Sequence, residues 1–181
     1  MFTHPIPEFG PSEDLVLRLL RDYFYGDPMA LSRPPGAGLH DPDIVTLIPQ
    51  DQVFPTILIR RDKRSGSQNI RVENQRHMQT MVATFETFTQ GLEADRDGAL
   101  LQESVRHALQ RAVDRQDGYP DLGYLNHMNL WSQAARVSDY ATSTGVVQYA
   151  SLPNGVVRYE SIYQFIVRPV ERGMTDNPFL R

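Results

Sequence analysis

The chain contains no cysteine. That single absence removes disulfides, thiolate-ligated zinc, iron–sulfur clusters and a Cys nucleophile together. Lysine is almost missing as well: of 18 basic residues, 17 are Arg and one is Lys63. A GC-rich coding sequence accounts for this bias as readily as selection for forked guanidinium hydrogen bonds does. No apolar run approaches the ~20 residues that a spanning helix requires. Met1-Phe2-Thr3-His4 shows neither a basic n-region nor an apolar h-region, so no secretory leader is expected and a cytoplasmic product is the default. Excess positive charge is also lacking. The net charge of −4 argues against a general nucleic-acid coat. Finally, there is no P-loop, no G-x-G-x-x-G, no G-x-S-x-G and no H-E-x-x-H.

What is present is ordinary globular material: 181 residues, 40% apolar and 22% charged. Length points to a single domain over 1–181. A folded chain of this size buries roughly 70% of its extended surface, enough for a core without covalent staples.

The spacing predicts a first helix beginning near Pro11-Ser12-Glu13-Asp14, with Ser12 as cap and two carboxylates in the positive first turn. Leu15, Val16, Leu19, Leu20, Tyr23 and Phe24 form its apolar stripe, and Gly26-Asp27-Pro28 should end it. A Pro/Gly-rich loop or arm follows at 28–42. Strands are predicted at Ile44 to Ile48, Thr56 to Arg60, Met78 to Thr89, Tyr124 to Ser138 and Val156 to Arg168, with a short one at Asn69 to Glu73. In the Met78 to Thr89 run, Met81, Ala83 and Phe85 share one face, and Val82, Thr84, Glu86 and Phe88 the other. The last strand has an aromatic face, with Tyr159, Tyr163 and Phe165, and a mixed face, with Arg158, Glu160 and Gln164.

A second helix is predicted within Gly91 to Gln116, capped by Asp95 or Asp97. Leu101, Val105, Ala108 and Ala112 make its buried stripe. Gln102, Glu103, Arg106, Gln110 and Arg111 are expected on the solvated side, with Glu103 and His107 paired at i, i+4. The order helix, strands, helix, strands predicts an α+β fold: a mixed or antiparallel sheet with two main helices packed on one face. A short tail closes the chain at 170–181.

Few residues suggest chemistry. His40-Asp41-Pro42-Asp43 is the compact cluster of metal-capable side chains, but one short loop rarely supplies ligands that converge from several directions. Glu86 and Glu160 could form a carboxylate pair, although a strand glutamate facing solvent or a subunit is the plainer expectation. No catalytic residue, cofactor or metal is therefore assigned. Charge is more distinctive. Arg60, Arg61, Lys63, Arg64, Arg71 and Arg76 face only Asp62 and Glu73, a net +4 over 60–76, whereas residues 1–60 carry −4. A solvated hairpin tip is one reading. The other is an exposed basic hairpin that meets an acidic surface, a ring lumen or nucleic acid. No aromatic residue interleaves it, which weighs against single-strand stacking.

Taken together, the N-terminal helix, the strand ending Thr56-Ile57-Leu58-Ile59-Arg60, the long strand, the helix from Ala99 to Leu109 and the ending Val157 to Arg168 form a whole-chain pattern. The final stretch resembles the R-Y-x-x-x-Y-x-F/V-x-V-R ending of tail terminator proteins from long-tailed (siphovirus-type) bacteriophages, carried here by Arg158, Tyr159, Tyr163, Phe165, Val167 and Arg168. The resemblance covers roughly residues 12–170. The Arg-rich, Lys-poor composition is similar to that of members from phages of actinobacterial hosts. Residues 28–42 and Gly145 to Asn154 look like insertions against the family pattern.

The resemblance implies a structural virion protein, not an enzyme. Such a protein forms a homohexameric ring on the head-proximal end of the tail tube, ends tube polymerisation and presents a surface to the neck. Its implied partners are further copies of itself, the major tail tube protein and the neck or head–tail connector protein, with the packaged DNA end or the tape-measure protein near the lumen. The nearest alternative is a head–tail connector protein. The alternatives of other classes are a small metal-dependent hydrolase using His40, Asp41 and Asp43, and a DNA-binding module using 60–76.

Overall fold

The computed structural model describes residues 12–31, 33, 39–48, 52–61, 78–137, 153 and 155–168. The predicted strand at Asn69 to Glu73 and the tail at 170–181 lie outside them. The described elements are α1 (Ser12–Tyr25), β1 (Asp43–Val45), β2 (Thr56–Arg61), β3 (Gln79–Gln90), α2 (Ala94–Arg115), β4 (Gly118–Tyr119), β5 (Gly123–Val137) and β6 (Val156–Arg168). The strands form one six-stranded mixed sheet in the order β1-β2-β3-β6-β5-β4. Only β1 and β2 run parallel; the other neighbours are antiparallel. This is the expected α+β architecture.

The core sits between the sheet and both helices. Leu15, Val16, Leu19 and Leu20 of α1 and Leu101, Val105, Leu109 and Ala112 of α2 pack on Ile57, Ile59, Met81, Phe85, Tyr163 and Phe165. Phe85 meets Tyr163 edge-on at 5.7 Å between ring centroids, a contact that adds about 0.5–1.5 kcal/mol beyond its buried area. The β3 and β6 faces are those the alternation predicts. The ladder between them runs in unbroken register from Gln79↔Val167 to Gln90↔Val156.

Several local expectations are corrected. Ser12 is already inside α1, and its Oγ is buried with no hydrogen-bond partner among the described residues, so it does not act as the cap. At α2 the cap position is Glu93, which makes no side-chain capping bond. Asp95 and Asp97 instead sit in the first turn, where the helix dipole favours them. The first strand is shorter than predicted and ends at Val45↔Leu58. Beyond that pair the β2 edge is served by a helix, because the Arg61 N–H donates to Glu13 Oε1 of α1 at 3.0 Å. Glu103 pairs with Arg106 rather than His107, and His107 Nδ1 bonds to Tyr23 Oη at 3.0 Å, tying α2 to α1.

The largest correction concerns Gln102, which was expected on the solvated side and is 1% exposed. Its Nε2 donates to Phe85 O at 2.9 Å and Tyr159 O at 3.1 Å, while its Oε1 accepts from Ser161 Oγ at 2.6 Å. One amide therefore fastens α2 to β3 and β6. Close approach here also requires Gly98, where a Cβ would stand 2.8 Å from Tyr159 Cδ2. Gly26, with φ of +69°, lets α1 end where the sequence predicts.

Candidate functional site

The face of the sheet away from the helices carries a charged cluster. Alternation places Arg60 of β2, Glu86 of β3, and Arg158 and Glu160 of β6 on it. Glu86 is fully buried and stands opposite Glu160 in the ladder. Arg60 forms an ion pair with Glu86 Oε1. Arg158, 5% exposed, places Nε 3.4 Å from Glu86 Oε2 and a terminal nitrogen 3.9 Å from Glu160 Oε2. Leu58, Val82 and Phe88, each no more than 2% exposed, surround the cluster. Glu86 thus departs from the plain expectation of a solvent- or subunit-facing glutamate.

This arrangement binds charge but does not present it. Acid–base hydrolysis by two carboxylates needs one kept protonated, one ionised, and substrate between them. Here two guanidinium groups face two carboxylates, and Glu86 has no surface to offer. The cluster holds β2, β3 and β6 together.

The basic segment is seen only at its start. Arg60 is spent on Glu86 within the sheet. Arg61 is exposed at the end of β2, its backbone tied to α1. Lys63, Arg64, Arg71 and Arg76 lie outside the described residues.

The proposed hydrolytic trio is placed differently. His40 is exposed, whereas Asp43 belongs to β1 and is half-buried. Burial raises the Asp43 carboxyl above its ordinary value, opposed by Arg33 and Arg21. The intervening Pro42 carbonyl accepts from the Tyr25 hydroxyl, which burial first and Asp43 second push up to about 12. Among the described residues no group of three or more His, Asp or Glu is arranged to hold a metal ion.

A different region emerges along β5. A cavity of about 430 Å³ lies between α2 and β5, lined by Gln102, Glu103, Arg106, Leu130, Gln133, Ala134 and Tyr163. Its charges are the mutually paired Glu103 and Arg106, whose hydrogen bond lowers the Glu103 carboxyl and raises the Arg106 guanidinium. From Asn129 to Arg136 every β5 residue is exposed, including Leu130 at 47% and Trp131 at 46%. The strand is the expected one, and its exposure goes beyond the sequence expectation. A signal was available: Asn129 to Val137 has no period-2 alternation, as a strand with one buried face should have.

No protein-family model matches the chain, and no curated protein matches it. No helix of the described residues is long and apolar enough to cross a membrane.

Proposed function

We infer that the chain is a structural virion protein of the tail-terminator kind. In this reading it forms a homohexameric ring on the head-proximal end of a phage tail tube, halts tube growth and offers a surface to the neck. The observation that carries the reading is the order of elements closing on β6, where the resemblance is densest. The fold that the resemblance implies, a mixed sheet with helices on one side, agrees with the fold described above.

The β6 residues divide by role. Tyr163, Phe165 and Val167 fill the helix-side core, Arg158 holds Glu86, and Tyr159 donates from its hydroxyl to Asp95 at 3.1 Å. All of these are architectural tasks, which fits a building block better than a catalyst. The long exposed β5 supports the same reading.

Deleting the gene from the parent phage tests it. Overlong, unterminated tubes are the expected result. Filled heads that leak DNA beside tails of normal length would instead assign the chain to the head–tail connector. Unaltered yield after substituting His40, Asp41 and Asp43 together by Ala is expected, and its loss would revive the hydrolase.

A further inference from the structure

β5 is built unevenly along its length. Near its start Leu125 is fully buried, and the strand lies between β4 and β6. From Asn129 to Arg136 eight consecutive residues are exposed, whereas in β3 nine consecutive residues from Met81 to Thr89 are buried. The ladder to β6 is uneven as well. Between the pairs Leu130↔Tyr163 and Ala135↔Glu160, β5 advances five residues while β6 advances three, so two β5 residues there have no partner opposite. Bulges of this kind interrupt the ladder and bend the strand that carries them. Beyond them only Ala135, Arg136 and Val137 pair again, with Glu160, Tyr159 and Arg158.

Little fastens this half of the strand to the helix layer. The cavity of about 430 Å³ lies against Leu130, Gln133 and Ala134, so α2 does not fill the space beside them. Leu130 and Trp131, 47% and 46% exposed, keep about half of their surface covered and supply the apolar contacts that favour the closed position. At the far end Arg136 pairs with Asp95 Oδ1 of α2 at 3.1 Å, and both side chains are more than half exposed. An exposed pair of this kind contributes little and weakens as salt screens it. Nor is Asp95 stranded without it. The Tyr159 hydroxyl donates to the same Oδ1 at 3.1 Å, and the carboxylate sits in the first turn of α2, where the helix dipole favours it. β6, by contrast, is fixed from its other side by the unbroken ladder with β3 and by the Gln102 amide.

We propose that Trp131 to Val137 of β5 is a hinged strap: it leaves β6 as one unit while Leu125 to Leu130 and all of β6 stay in the sheet. The break in the ladder after Leu130 is the hinge, and the Arg136–Asp95 ion pair is the catch. Opening carries Gln133 and Ala134 off the cavity and bares the β6 edge from Arg158 to Ile162. Salt sets how often the strap opens, because the catch is an exposed ion pair. The device belongs to the fold and does not require the tail-terminator reading.

Native-state hydrogen exchange on the full chain, followed amide by amide in urea below the unfolding transition, tests this. Along β6, alternate residues turn their amides toward β3 and toward β5. Over Arg158 to Ile162 the amides turned to β5 should exchange on the order of 100-fold faster than those turned to β3, with little dependence on urea, as a small local opening exposes little surface. From Tyr163 to Val167, opposite the part of β5 that stays, both sets should remain slow. Raising salt from about 0.05 to about 1 M should speed the fast set about 2- to 5-fold relative to the β3-facing set. Arg136→Gln should give the same gain at low salt and abolish the salt response.

Equal protection of the two sets over Arg158 to Ile162 would mean that the strap opens only with the whole sheet, and would overturn the proposal. Fast exchange of both sets would mean that β5 and β6 leave together as a hairpin, which overturns it equally. A fast set indifferent to salt and to Arg136→Gln would remove the catch, and the proposed device with it.

Discussion

Glu86 and Glu160 occupy directly opposed positions on β3 and β6, and Arg158, diagonal to Glu86 in the ladder, reaches toward both carboxylates. Like charges facing each other across a sheet are unfavourable. The pair is tolerable because Arg158 and Arg60 supply two positive charges on the same face. Truncating Arg158 to Met leaves the fully buried Glu86 with only the partly exposed Arg60. Removing one partner from a buried pair costs about 3–5 kcal/mol, which is about 2–4 °C per kcal/mol in a chain of this size. Urea unfolding of Arg158→Met should show that loss. The double variant Arg158→Met with Glu86→Gln should recover part of it, since the stranded charge is gone. Strictly additive losses would mean that the two residues do not interact.

Gln102 presents the neutral counterpart. Its amide satisfies Phe85 O, Tyr159 O and Ser161 Oγ inside the core. Gln102→Leu should cost about 1–3 kcal/mol, because buried partners lose their bonds. Gln102→Glu should cost more, since it buries a charge and removes a donor. Pairing Gln102→Leu with Ser161→Ala should soften the first loss by removing the orphaned hydroxyl. Thermal denaturation of the four proteins checks the ranking.

The elements were legible because their hydrophobic periods are strong: Leu15 to Phe24 at helical spacing, and Met81 to Phe88 and Val157 to Val167 at strand spacing. What escaped the sequence depends on contacts between distant segments. Gln102 reads as a surface residue beside Glu103 and Arg106, and only the position of β6 fifty-seven residues on shows why it is inside. The burial of Glu86 depends on Arg60 and Arg158, from two different strands. The cap is a local difference: Asp95 and Asp97 are both good candidates, yet the helix begins at Ala94, so both lie inside its first turn, two and four residues past the cap position at Glu93. The exposure of β5 is not carried by strand propensity, which marks Tyr124 to Val137 as extended without saying what covers either face.

Gly98 sets two opposing effects against each other. Replacing glycine by alanine within a helix usually gains about 1 kcal/mol. Here the new Cβ would stand 2.8 Å from Tyr159 Cδ2 and 3.0 Å from Thr89 Oγ1. Thr89 is buried, with its hydroxyl bonded to Ala94 O, so it cannot yield cheaply. Gly98→Ala should therefore destabilise, by about 1–3 kcal/mol as overpacking commonly does. In a Tyr159→Ala background the same change should cost less, because the nearer obstacle is gone. Paired melting curves give the comparison.

The Tyr25 hydroxyl predicts an alkaline effect. Its value rises from 10.0 to about 12 in the fold, through burial and then the Asp43 charge. A raised value means that the folded state favours the protonated hydroxyl. Its contribution is complete below pH 10 and fades as pH climbs through about 12. Ionisation also removes the proton that Tyr25 donates to Pro42 O. Tyr25→Phe should thus lose part of the wild-type stability at neutral pH, with the gap narrowing between pH 10 and 12. Urea midpoints across that window make the measurement; a gap that widens would contradict it.

Arg60 and Arg61 are adjacent in sequence and should behave in opposite ways. Arg60→Glu would set a third carboxylate beside Glu86 and Glu160, so it should lower stability by several kcal/mol. Arg61 is exposed, and the bond it makes to Glu13 uses its backbone N–H, which any residue but proline retains. Arg61→Glu combined with Arg64→Glu should leave the unfolding transition within about 0.5 kcal/mol of wild type. If the basic segment meets an acidic surface or DNA in the assembled particle, that same double variant should reduce infectious titre and DNA retention. Stable protein with reduced titre assigns the segment an assembly role. Stable protein with unchanged titre makes it a solvated tip, and the charge between residues 60 and 76 then serves solubility alone.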